Sequence, residues 1–116
     1  MKIFIPLLML LFMSIKPAYS YTAMELHNKC KDEENKFAMI ACYNYINGFT
    51  SGVLYTRMFF KTDDFELPSP ICVPENVTNQ QAALIFNKWV NENPDKAHLL
   101  ATAGLGVSLT NAFCKE

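Results

Sequence analysis

Four cysteines, Cys30, Cys42, Cys72 and Cys114, constrain this chain more than any other feature. Whether they cross-link or bind metal depends on their spacing and on the compartment they reach. A zinc site would need closely spaced ligand pairs, whereas no two cysteines lie close together and His27 and His98 are far apart. The first residues supply the compartment. Lys2 opens a short basic region, Ile3 to Ile15 is almost wholly apolar, and Lys16-Pro17-Ala18-Tyr19-Ser20 follows. This pattern predicts a cleaved secretory signal over residues 1–20, with Ala18 and Ser20 as the small residues before the cut. Thirteen apolar residues interrupted by Pro6 fall short of the roughly 20 needed to span a bilayer, so no membrane attachment is expected after cleavage. An exported chain meets an oxidising compartment, and an even cysteine count then reads as two disulfides.

The remaining residues, 21–116, suit a single domain whose core alone is marginal without such staples. Loss of Lys2 and Lys16 leaves eight basic residues against eleven acidic ones, a net charge of −3. With one arginine and no basic cluster, the mature chain has no electrostatic footprint for nucleic acid or an anionic membrane. A cationic protein partner would suit it better.

Hydrophobic spacing predicts helices throughout. Tyr21 to Lys31 reads as a short helix, and Asp32-Glu33-Glu34-Asn35 as the cap and acidic first turn of a second one. There Phe37, Ile40, Ala41, Tyr45, Phe49 and Val53 fall at helical spacing, although Val53 to Phe60 also has a weak strand-like pattern. Gly48 and Gly52 each weaken a helix by about 1 kcal/mol relative to alanine, which suggests that another backbone passes close by. Pro68, Pro70 and Pro74 make residues 61–77 a loop. Within that loop Asp63, Asp64, Phe65 and Glu66 combine three carboxylates with one aromatic ring, a composition suited to anchoring a partner protein.

Thr78-Asn79-Gln80-Gln81 has the spacing of a capping box. Ala82, Ile85, Phe86, Trp89 and Val90 then form one apolar stripe, in which Trp89 reads as core. Asn93-Pro94 predicts the end of that helix and the start of another, capped by Asn93 with Pro94 in its first turn. Ala97 to Phe113 is apolar almost all round, so it reads as the most buried element, with Gly104 and Gly106 available for a close crossing against Gly48 and Gly52. His98, near its start, is expected as a partly buried packing residue. The fold class is therefore all-α, a small disulfide-stapled domain of four or more helices behind a cleaved signal peptide. Antiparallel packing of the last two helices would bring Cys114 near Cys72. That favours Cys72 with Cys114 and Cys30 with Cys42, although the sequence allows three pairings. On the chain-entropy model the two closures contribute roughly 3 and 4 kcal/mol.

Catalytic chemistry is hard to assemble from these residues. A nucleophile needs a base within reach and a group that orients it, and both histidines would have to be recruited from distant places. Asp63 and Asp64 are adjacent in a loop, with no difference of environment to split their pKa values. No Gly-rich phosphate loop is present, and no cofactor or metal is implied.

One set of motifs resembles a known family. The segments are Cys42-Tyr43-Asn44-Tyr45-Ile46-Asn47-Gly48-Phe49, Ile71-Cys72-Val73-Pro74, Val77-Thr78-Asn79-Gln80-Gln81, Asn93-Pro94 and Ala112-Phe113-Cys114. They are similar to those of the Rap/Tai immunity proteins that accompany peptidoglycan-amidase effectors of type VI secretion, and the likeness spans residues 30–114. The resemblance implies a periplasmic, non-enzymatic, all-α protein whose partner is a cognate cell-wall amidase effector, blocked by occlusion of its active-site groove. Homodimers are frequent in such a family, so a second copy is a further implied partner. A different class, a periplasmic stress chaperone or small binding protein of helical disulfide-bonded type, shares the same composition. Exposure of apolar surface on acidification would distinguish it.

Overall fold

The computed structural model describes residues 20–60 and 73–114. The expected signal peptide, Cys72, and the loop residues Asp63, Asp64, Phe65 and Glu66 lie outside the described residues. Among the described residues there are four α-helices and one short 3-10 turn. The helices are α1 (Ala23–Lys31), α2 (Lys36–Phe60), α3 (Asn79–Glu92) and α4 (Ala101–Phe113), and the 3-10 turn is Pro94–Lys96. Helix α1 packs against the other three, and so does α3, so that α2 and α4 flank a central α1–α3 pair. None of these helices is long and apolar enough to cross a membrane.

Short polar side chains set the helix starts, as their sequence positions suggest. The Thr22 hydroxyl accepts from the Glu25 amide at 3.2 Å, Asn35 Oδ1 accepts from the Ala38 amide at 3.2 Å, and the Thr78 hydroxyl accepts from the Gln81 amide at 3.1 Å. The cap of α2 is thus Asn35, and Asp32 to Glu34 form a turn ahead of it. The expected acidic first turn of that helix is not present.

Each helix turns one face to a common core. Ala23, Leu26, His27 and Cys30 are buried from α1, and Ala82, Ala83, Phe86, Trp89 and Val90 from α3, with Ile85 at the edge of that stripe. Helix α2 contributes Cys42 and Ile46, supported by half-buried Tyr45, Phe49 and Val53. The expected α2 stripe is corrected at its first turns, because Phe37 is 85% exposed and Ile40 is 56% exposed. The reason is geometric. Residues four apart advance by about 40° round a helix, so a ladder rising from Phe37 through Tyr45 to Val53 cannot keep one face inward. The bond from Cys42 to Cys30 selects the later rungs and turns the first ones outward. Val53 to Phe60 is helical, so the strand-like pattern there is overridden.

The last helix begins later than expected, at Ala101. Backbone groups just before it are engaged elsewhere. Leu99 O and Ala97 O accept from the Ala23 and Met24 amides at 2.7 and 3.0 Å, and the Ala101 amide donates to Tyr21 O at 2.9 Å. This antiparallel clip, centred on Thr22 and Leu100, holds residues 97–100 out of the helix. His98 consequently sits in an exposed turn rather than as a packing residue. Asn93 does not cap the following segment with its side chain. Its Nδ2 closes α3 by donating to Trp89 O at 2.9 Å. Helix α4 buries Ala101, Gly104, Leu105, Gly106, Ser108 and Leu109 on one side and exposes Val107 on the other, so it is not buried all round.

The glycines also depart from expectation. A Cβ built on Gly48 or Gly52 meets nothing within 4 Å, so no backbone crosses there. The tight position is Gly104, where a Cβ would lie 3.1 Å from ring atoms of both Phe86 and Trp89 and 3.3 Å from Ala23 Cβ. Two substitutions of the same kind should therefore act oppositely. In dilute urea titrations, Gly48→Ala is expected to stabilise by about 0.5–1 kcal/mol through helix propensity. Gly104→Ala should destabilise by about 1–3 kcal/mol through overpacking.

Candidate partner-binding surface

The loop singled out from composition begins and ends at points the structure fixes. Residues 61–72 leave the C-terminal end of α2 and rejoin the described chain at Val73, which is buried in the core. Arg57 Nη1 donates to Val73 O at 3.1 Å, so the last turn of α2 is tied directly to the re-entry point. A turn with Val77 N donating to Pro74 O then leads into the Thr78 cap of α3. The sole arginine of the sequence thus anchors the base of the segment carrying Asp63, Asp64, Phe65 and Glu66, side chains that the structure does not place. The sequence offered a clue to this role in a lone arginine at the end of a long uncharged helix, but no pattern that identified its partner.

Cys30 and Cys42 form a disulfide with a Cα–Cα distance of 5.1 Å that joins α1 to α2. Both residues are buried, and none of the described cysteines is free. Cys114 is itself in disulfide linkage. Its expected partner, Cys72, is outside the described residues.

Polar groups in the interior serve structure. His27, 5% exposed, places Nδ1 at 2.8 Å from Asn87 Oδ1, and Asn87 Nδ2 donates to Cys30 O at 3.4 Å. The Asn87 carbonyl can only accept, so His27 Nδ1 carries the proton and donates. This relay fastens α1 to α3 beside the disulfide. Removing the acceptor leaves a buried N–H without a partner, at a cost of about 1–3 kcal/mol. Asn87→Ala is expected to lower the unfolding free energy by that amount, measured by urea denaturation, with helix content by circular dichroism unchanged. Sequence reading placed Asn87 outside the apolar stripe without finding its partner, since the two residues are sixty positions apart.

Near the start of α1, Tyr21 packs on Tyr45 with ring centroids 5.5 Å apart, and Lys29 Nζ lies 5.5 Å from the Tyr21 centroid. Burial, followed by the neighbouring Tyr21, raises the Tyr45 phenol above its ordinary value of 10.0. The neutral phenol is the form that fits the fold, so any contribution from this shift is present below pH 10 and fades as pH rises beyond it. The adjoining surface, lined by Tyr21, Glu25, Lys29, Asp32, Asn35 and Ala38, is a shallow open depression. Among the described residues no group of three or more His, Cys, Asp or Glu side chains could hold a metal ion.

The described part is therefore a cross-linked helical scaffold whose interior polar groups are spent on packing. This defines a small stapled α-helical binding domain. The profile of the Rap1a immunity proteins matches residues 22–114, and the chain belongs to that family. The match covers every described helix. No curated protein and no solved structure shows a significant match to the chain.

Proposed function

We propose that this is an exported immunity protein that binds a type VI secretion peptidoglycan amidase in the periplasm and blocks its active-site groove. Membership of the Rap1a immunity family carries the reading, since such a protein binds a cognate effector rather than turning over a substrate. The amidase target comes from the motif resemblance around Cys42 and Cys72. The periplasmic setting is supported by the apolar leader and by the Cys30–Cys42 disulfide, a bond that persists in oxidising compartments. Pairing of Cys72 with Cys114 belongs to the same proposal, as does association of two copies.

The mechanism is steric. A rigid stapled bundle presents the 61–72 segment from a base fixed by Arg57 and Val73, and the segment excludes peptidoglycan from the groove. Phe65 would fill an apolar recess while Asp63, Asp64 and Glu66 meet cationic side chains at its rim. Calorimetric titration of the mature protein into purified amidase effectors tests the function. Replacing residues 61–67 by a Gly/Ser linker is expected to weaken binding by at least about 30-fold, the loss of one buried aromatic anchor with its charges. The thermal transition should be nearly unchanged. Binding that survives the swap would remove the loop assignment and leave the immunity role in place.

A further inference from the structure

Helix α2 carries a long outward face that nothing in the chain explains. Phe37, Ile40, Tyr55 and Met58 are 85%, 56%, 60% and 73% exposed, which makes four of the nine large exposed hydrophobics among the described residues. From Phe37 to Thr56 the helix has no charged residue. At the helical angle of about 100° per residue, Phe37, Asn44, Gly48 and Tyr55 fall along one line, with Ile40, Ser51 and Met58 on one side and Ala41 and Gly52 on the other. The surface is thus large and apolar at its ends and small in its middle. Charge depletion with exposed aromatic and methionine side chains is the composition of an interface centre rather than of a solvated helix.

The geometry points to a second copy of this chain docking on that face, with the two α2 helices antiparallel. The pattern is its own complement in one register. When Phe37 of one copy lies opposite Tyr55 of the other, Ile40 falls on Ser51, Ala41 on Gly52 and Asn44 on Gly48, so every bulky or polar side chain in the middle meets a small one. The open space around Gly48 and Gly52 gives the backbones room to approach. Charge agrees with the same arrangement. Each positive helix start, with Lys36, comes beside the negative end of its neighbour, and the acidic turn Asp32 to Glu34 reaches the turn that holds Arg57. The face runs about 30 Å along the helix, which suits a reversible dimer rather than an obligate one. The inference refines the two-copy association named above and does not depend on which effector is bound.

Sedimentation equilibrium of the oxidised mature protein over a range of concentrations reads it directly. The weight-average mass should rise from one chain toward two. Gly48→Arg places a bulky cation at the centre, and Phe37→Lys and Tyr55→Glu each unbalance one end. All three are expected to weaken association at least tenfold, while circular dichroism keeps the helix content of the parent. The double variant F37K/Y55E should recover association. Positions 37 and 55 are about 27 Å apart within one helix, so only another chain in the stated register can pair them. A parent that stays monomeric at every concentration, a dimer that tolerates Gly48→Arg, or a double variant no better than its singles would overturn the assignment. A monomeric parent whose effector binding is lost on Phe37→Lys would give this face to the effector and reject the dimer, leaving the immunity reading intact. Dimerisation without any effector binding would do the reverse.

Discussion

Replacing Cys30 and Cys42 together by alanine is expected to lower the unfolding free energy by about 3 kcal/mol, because the unfolded chain regains the freedom of the closed 12-residue segment. Alanine is the informative replacement. Serine would put two hydroxyls into positions that are 3% and 0% exposed, adding a desolvation cost to the effect being measured. The loss is a large fraction of what a domain of this size has in hand. It also orients α2, since Cys42 decides which rungs of its apolar ladder face inward. Urea titration without reductant should show a lower midpoint, with a steeper dependence on urea because the unfolded state is less compact. A shift below about 0.5 kcal/mol would mean that the bond contributes nothing to the fold.

Truncation of Phe86 to alanine should cost still more, about 3–5 kcal/mol, and brings the bundle near its unfolding limit at 37 °C. Phe86 is fully buried and heads the ranking of buried side chains by volume. It sits where α3 meets α4, with its ring edge over Gly104. The cavity left behind would open between the central pair and α4, and little can move to fill it. Leu84 is two residues away and 60% exposed, which makes Leu84→Ala the matched control, with an expected change within about 0.5 kcal/mol. If the two substitutions shift the midpoint equally, the core is not where the structure places it.

The helical character of the chain was legible because its signals are local. Thr78 with Gln81, the stripe from Ala82 to Val90, and the cysteine pair flanking the first helical hairpin each act within a few turns of chain. What misled was tertiary. The ladder from Phe37 is periodic enough to predict a helix, yet its inward face depends on a bond to Cys30. The glycine pair at 48 and 52 looked like an internal crossing because sequence cannot distinguish a helix buried by its own chain from one with an open face. Ala97 to Leu100 has the composition of a helix, but hydrogen bonds to Tyr21, Ala23 and Met24 draw its backbone away. At the binding surface, the carboxylate and aromatic composition of residues 63–66 was readable. The Arg57 tether to Val73 was not, since no spacing rule links a guanidinium to a carbonyl sixteen residues on.

Two halves of the molecule thus have different tasks. The α1–α3 pair with its disulfide and the His27–Asn87 relay supplies rigidity, and a rigid inhibitor pays less conformational entropy on binding than a flexible one. The outer parts, the segment based on Arg57 and the uncharged face of α2, are free to meet other chains.

The most direct measurement is protection in living cells. Bacteria made to export a type VI cell-wall amidase to their periplasm lyse, and lysis is followed by optical density with and without this protein exported alongside. The account predicts that growth continues for at least one amidase of this class, and that it fails again when the protein is kept in the cytoplasm by removal of residues 1–20. Undiminished lysis with every amidase tested, while the oxidised protein accumulates in the periplasm, would contradict it.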